Sequence, residues 1–396
     1  MKTTKISVLV LVLALLATSS GAAGTQEPQP SYESYFNYIG TRPTEAETNY
    51  AGNVQGLAHD RDNWFISQEW GLWKIPVGLD LAGSIECGVS GVICGNLGSI
   101  SEISAYNHVG GIDHYQSDES TGFLLLPLEG GPKPAIAAFN PVNLHYMAHA
   151  ELLQHSSASW VAVDPDGLVY TSSNDAPGWV YIYNLDWDGL AQNGTLSLQK
   201  VGQFQLFDES GVLLGVGPQG GVFSESGDLL YINNGYYDDY NSHKDGISVF
   251  DMQTKRRIAH STVDSTQPFW YYYDWGGCDD DPGICNEEPE GLTIWDLDDG
   301  RAPGISGQLH VLVLDNDLYD DDVYIRHYTN KIYVDSAYSG EERGKPTQPF
   351  NTVGEANAMA WDGALISIKA GSYPESLTFS KRVGLLAEGG TVYIGN

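Results

Sequence analysis

The stretch that decides the fold is 287–328. It opens Glu287-Glu-Pro-Glu-Gly-Leu-Thr-Ile-Trp-Asp-Leu-Asp-Asp-Gly, continues Gly307-Gln-Leu-His-Val-Leu-Val-Leu-Asp-Asn-Asp and closes Asp322-Val-Tyr-Ile-Arg-His-Tyr. These are three short runs rich in β-branched, aliphatic and aromatic residues, each bounded by Gly, Pro or Asp. That pattern spells consecutive strands joined by turns.

Working outward, the same grammar recurs. It appears in Val54-Gln-Gly-Leu-Ala-His-Asp, Asn63-Trp-Phe-Ile-Ser-Gln and Gly71-Leu-Trp-Lys-Ile-Pro-Val, and again over 109–139, 160–183 and 219–251. Turns such as Asp164-Pro-Asp-Gly and Glu225-Ser-Gly-Asp separate the runs. A strand-built repeat of roughly 40 to 60 residues is the signature of a β-propeller. One blade cannot bury both of its faces, whereas blades set radially bury each face against a neighbour. The reading is therefore all-β, with five blades. The segment 265–288, with Trp270-Tyr-Tyr-Tyr-Asp-Trp, leaves a sixth open. Tyr35-Phe-Asn-Tyr-Ile is strand-like and is placed to pair with the last blade and close the ring.

The ends and the charge set further bounds. Met1-Lys-Thr-Thr-Lys, an apolar run from Ile6 to Ala17 and small residues up to Ala23 match an export signal. The apolar run falls short of the roughly 20 residues that span a bilayer. The expected organisation is a signal peptide over 1–23, a flexible leader over 24–50, the propeller over 51–330 and a C-terminal module over 331–396, in a secreted or periplasmic protein. With 19 basic and 51 acidic residues, the 396-residue chain carries a formal charge of −32. Such a charge repels nucleic acid and anionic membranes, and Ca²⁺ or another divalent metal would screen part of it. The partners expected instead are a small molecule or carbohydrate, or a protein at the C-terminal edge. Four cysteines form two equally spaced pairs, Cys87 with Cys94 and Cys278 with Cys285. In an oxidising compartment this spacing suggests two local disulfides, with a zinc site as the alternative.

The motifs Gln55-Gly-Leu-Ala-His-Asp, Asp164-Pro-Asp-Gly-Leu-Val-Tyr and Glu290-Gly-Leu resemble secreted bacterial propellers of the gluconolactonase-like and NHL-repeat type, over roughly 50–330. After Asn330 the pattern changes. Ile332-Tyr-Val-Asp, Pro349-Phe-Asn-Thr and Gly371-Ser-Tyr resemble the entry of a pectin-lyase-like right-handed parallel β-helix, with Val353 to Trp361 as its capping helix. No catalytic residue carries over from that family, because its catalytic residues lie on later coils.

In a propeller the first strand of each blade lines the central channel. Gln55, Gly110, Ser159, Gly220 and Glu290 start those strands at comparable depth, with Gln219, Asp113, His114 and His59 close in register. Carboxylates and amides at a channel mouth are hard oxygen ligands that suit Ca²⁺. The gluconolactonase-like resemblance implies that Glu290 holds a divalent metal, although the matching Asn and Asp are not found in this sequence. His108, Asp113, His114, His310 and Asp315 form a second set of imidazoles beside carboxylates. The leading expectation is a binding or interaction protein that takes a ligand or glycan at the channel face. Its rival is a divalent-metal-dependent hydrolase of the lactonase or phosphoesterase type.

Overall fold

The computed structural model describes residues 36–46, 49–118, 120–153, 155–173, 179–214, 217–234, 246–262, 285–317, 321–360 and 364–395. Five antiparallel sheets stand as the blades of a propeller. From the centre outward, blade 1 is Val54–His59, Asn63–Gln68, Gly71–Pro76 and Ile93–Asn96. Blade 2 splits its inner edge between His108–Val109 and Asp113–Gln116. Both pair with Gly122–Glu129, followed by Ala135–Phe139 and Tyr146–Glu151. Blade 3 is Ala162–Val163, Leu168–Ser172, Trp179–Leu185 and Leu198–Gln205, and blade 4 is Pro218–Phe223, Leu229–Asn234, Gly246–Asp251 and Arg257–His260.

Blade 5 contains the stretch quoted first: Cys285–Ile294, Leu309–Asp317 and Asp321–Thr329. Its outermost strand comes from the other end of the chain. Asn37–Thr41 runs antiparallel to it, with Asn37 opposite Thr329 and Thr41 opposite Arg326, and so closes the ring as the sequence suggested. Phe36, Ala46 and Tyr50 are buried in the cores on either side of this blade, so the propeller begins ahead of residue 51. The segment that left a sixth blade open lies mostly outside the described residues.

The alternation of side chains explains the radial packing. In Leu309–Asp317, Leu309, Val311 and Val313 enter the core shared with blade 4, while Leu312 and Leu314 enter the core shared with blade 1. Residues one apart on a strand point to opposite faces, so a strand apolar throughout is buried on both sides. At the centre the blades meet through glycine. A methyl group on Gly291 would lie 2.3 Å from Leu57 N, one on Gly56 2.7 Å from Ile112 N, and one on Gly111 2.5 Å from Gln219 O. Blades 2 and 3 also hydrogen-bond directly, with Gly111 N donating to Ser159 O (2.8 Å) and Val161 N to Gly111 O (2.9 Å). The channel is thus pinched into a closed waist with a mouth on either side.

Cys87 and Cys94 form the expected local disulfide. The Cys278–Cys285 pairing lies outside the described residues.

The C-terminal segment forms a three-stranded parallel sheet of Lys331–Val334, Leu365–Tyr373 and Gly384–Ile394. The helix Val353–Met359 covers it, capped by Thr352 Oγ1, which accepts from Glu355 N at 3.2 Å. Ile332, Val334, Phe350, Val353, Ile366 and Ile368 make a hydrophobic cluster of their own. What stands here is a single parallel sheet, and the coils of a β-helix are not shown. The sheet is tied to blade 5 by Lys331 Nζ, 2.7 Å from Asp298 and 3.2 Å from Asp296, and by Tyr333 OH, which donates to Asp298 at 2.6 Å. Among the described residues, no helix is long and apolar enough to cross a membrane.

Candidate functional site

The inner strands all run the same way through the ring, so their C-terminal ends open on one mouth. There the blades diverge around a cleft of about 570 Å³ to which every blade contributes. Blade 1 supplies His59, blade 2 Asp113, His114 and Tyr115, and blade 3 Asp164. Blade 4 adds Phe223, Glu225 and Tyr231, and blade 5 Thr293, Asp296 and Gln308, with Phe36 and Asn330 also in the lining.

Several of these polar groups are held in place. His59 Nδ1 is 2.7 Å from Thr293 Oγ1, and its ring stacks on Trp295 with centroids 4.6 Å apart. His114 stacks on Phe65 at 5.7 Å. Burial pushes the His59 pKa down to about 3 and that of His114 to about 4, so both imidazoles are neutral near pH 7. Asp113 accepts from His114 N and Val163 N, both at 2.8 Å, and so stitches blade 2 to blade 3. Burial outweighs these two bonds and raises its pKa to about 7. Asp164 accepts from Leu168 N and from Tyr170 OH, each at 2.9 Å. Asp296 accepts from Gln308 Nε2 at 3.1 Å. Among the described residues, no lysine or arginine lines the cleft. It presents aromatic faces, neutral imidazoles, amides and carboxylates, a surface rich in acceptors and poor in positive charge.

The other sequence-chosen positions lie elsewhere. Gln55, Gly110, Ser159, Gln219 and Glu290 do come to one level, but that level is the closed waist. Glu290 is buried there with its carboxyl in hydrogen-bond contact with that of Glu288. Burial first, and the neighbouring Glu288 second, hold Glu290 well above the ordinary carboxylate range. His108 lies beside Glu129 at 3.3 Å on the same side of the ring. His310 is fully buried within blade 5. Its Nδ1 sits 2.8 Å from His327 Nδ1 and its Nε2 2.9 Å from Trp295 O, and burial lowers its pKa to about 4. Asp315 stands opposite Glu287 on one neighbouring strand and Asp322 on the other. Of the chosen residues, the cleft therefore brings together His59, Asp113 and His114. Among the described residues, no three His, Cys, Asp or Glu side chains are grouped to hold a metal ion. The acidic loop Asp296–Gly300 is engaged by Lys331, Gln308, Tyr333 and Arg301.

Cleft residues that sequence reasoning does not single out include Phe36, Tyr115, Asp164, Phe223, Glu225, Tyr231, Thr293, Gln308 and Asn330. The available signal is position: Phe223 ends an inner strand, Asp164 follows one, and Gln308 precedes a second strand.

No protein-family model matches the chain, and no curated protein matches it. Solved structures give distant likenesses. The glutaminyl cyclase of Myxococcus xanthus is 12% identical over 74% of this chain and 96% of its own, with a TM-score of 0.42. The Dos1 propeller is 12% identical over 76% of this chain and 66% of its own, with a TM-score of 0.31.

Proposed function

We propose that the protein binds a small polar molecule, neutral or positively charged, in the cleft where all five blades diverge. One observation carries the reading. The cleft gathers aromatic faces with imidazole, amide and carboxylate groups, and among the described residues no lysine or arginine lines it. Sites of this kind use apolar walls for affinity and a few fixed polar groups for orientation. A phosphoester or other anionic substrate calls for Arg or Lys at the site, so the composition speaks against the phosphoesterase reading. A neutral imidazole carries one donor and one acceptor; with His59 Nδ1 taken by Thr293, the ring nitrogens left over suit hydroxyl or ammonium groups.

Two further readings belong to this proposal. The N-terminal run marks the chain for export, and the parallel sheet after Asn330 is the entry of a right-handed β-helix. The pairing of Lys331–Val334 with Leu365–Tyr373, and of that strand with Gly384–Ile394, supports the second, since successive parallel strands stack in that way.

The test is saturation-transfer NMR of the full chain against a library of neutral, cationic and anionic fragments, repeated with His114→Ala and Tyr115→Ala. Neutral or cationic hits whose signal falls in both variants bear the reading out. Hits that are all anionic, or that are indifferent to both substitutions, overturn it.

A further inference from the structure

A second feature lies on the outside of blade 1, away from the cleft. Trp70, in the tight turn between Asn63–Gln68 and Gly71–Pro76, is 43% exposed, although large aromatic side chains ordinarily find cover. It borders a groove of about 360 Å³ whose walls include Asn53, Gln68, Glu69, Trp73 and Asn96. The groove is built from rigid parts. Glu69 N donates to Asn53 O at 3.0 Å and Leu97 N donates to Trp70 O at 2.9 Å, so the backbone on both sides of the turn is fixed. Trp73 Nε1 donates to Gln68 Oε1 at 2.7 Å, and Gln68 Nε2 donates to Asn49 O at 3.1 Å, which locks that amide into the wall. The Cys87–Cys94 disulfide anchors the outer strand Ile93–Asn96. The floor is bare backbone at Gly95, where an added methyl group would meet nothing within 4 Å. The Trp70 ring packs near Gly98, where an added methyl group would lie 3.4 Å from it, and its exposed part borders the groove.

We propose that this groove is a binding subsite for a neutral oligosaccharide. A sugar ring has a C–H face that lies flat on an exposed indole, and hydroxyls at its edge that need paired donors and acceptors. Asn53 and Asn96 carry both kinds of group on one short side chain. An exposed aromatic serving a protein partner would sit in a broader apolar patch; beside Trp70 the large apolar side chain in the wall is the buried Trp73, and Asn53, Gln68 and Asn96 supply the polar groups. The sign of charge narrows the class. Glu69 lines the groove, among the described residues no lysine or arginine does, and the whole chain carries −32, so uronic-acid and sulfated chains are repelled. The proposal is independent of the cleft, since the two share no residue.

The experiment is calorimetric titration of the full chain with cellohexaose, xylohexaose and chitohexaose, and with hexagalacturonate as the anionic comparison, in the wild type, Trp70→Ala, Trp70→Phe and His114→Ala. The expected result is that a neutral hexasaccharide binds, that Trp70→Ala weakens it about tenfold or more, and that Trp70→Phe keeps part of the affinity. Trp70 is partly covered, so the melting temperature of each variant is measured alongside, and the conservative Trp70→Phe separates lost binding from lost fold. The proposal is overturned if none of the neutral sugars binds up to about 10 mM, if Trp70→Ala binds like the wild type, or if hexagalacturonate binds best. A sugar lost in His114→Ala but kept in Trp70→Ala would lodge in the cleft, which contradicts this subsite while supporting the cleft reading.

Discussion

Gly291→Ala probes the closed waist directly. The added methyl group would sit 2.3 Å from Leu57 N and 2.8 Å from both C and Cα of Gly56. Ordinary contact begins near 3.4 Å, so blade 5 and blade 1 must part by about 1 Å, and the atoms in the way are backbone that no rotamer change can move. Overpacking of this kind costs about 1–3 kcal/mol, and the rigidity of the neighbours places this case near the upper end. For a domain of roughly 300 residues about 3 kcal/mol lowers the melting temperature by about 5 °C. Gly78→Ala is the control, because nothing lies within 4 Å of its added methyl group. Neither glycine adopts a positive φ, so backbone strain does not enter the comparison. Scanning calorimetry of the two variants separates the cases. If Gly291→Ala melts within about 2 °C of Gly78→Ala, the inner strands do not meet as described and the glycine waist is wrong.

Three other outcomes are expected. The Asp113 pKa is raised to about 7 from its unfolded value of 3.8, so its contribution to stability is complete below 3.8 and is lost as pH rises to 7. Asp113→Asn should therefore cost more at pH 5 than at pH 7.5, by up to about 1.4 kcal/mol per pH unit; urea melts at both pH values check this, and an equal cost at both contradicts the burial of the carboxyl. Lys331→Met removes the partner of the largely buried Asp298 at the junction with the parallel sheet, and should destabilise by about 2 kcal/mol once partial solvation is allowed for; an unchanged melting temperature would mean that the junction is not held there. Cys87→Ser opens a short loop and should cost about 2 kcal/mol by loop entropy, while non-reducing peptide mapping of the wild type should place Cys87 and Cys94 in one bridged peptide.

Much of the architecture was legible because blades are local. Each strand and turn of Val54–Pro76 follows from neighbouring residues, as do the ring-closing strand after Phe36 and the helix after Thr352. The fourth strands were less visible. Leu198–Gln205 alternates between partly buried and exposed positions at the rim, and its residues Gln199, Lys200 and Gln203 do not read as a core strand. The glycine waist was invisible for another reason. Gly56 looks like any strand glycine until the backbone of blade 5, far along the chain, is placed against it. The same separation hid the cleft, because His59 and Thr293 meet only after the ring closes. Aligning the strand starts found the waist residues, whereas the chemistry gathers where the inner strands end. Glu290 showed the limit of the family resemblance: in place of a ligand set it has Glu288 beside it.

The most direct test of the central claim is a thermal-shift titration of the full chain with matched ligands that differ only in charge: a neutral sugar, its amino derivative and its phosphate ester. A ligand that binds only the folded state at a hundredfold excess over its dissociation constant adds about 2.7 kcal/mol. The acceptor-rich cleft predicts that the neutral or the amino sugar raises the melting temperature and that Tyr115→Ala removes the rise. A rise produced by the phosphate ester alone would contradict it.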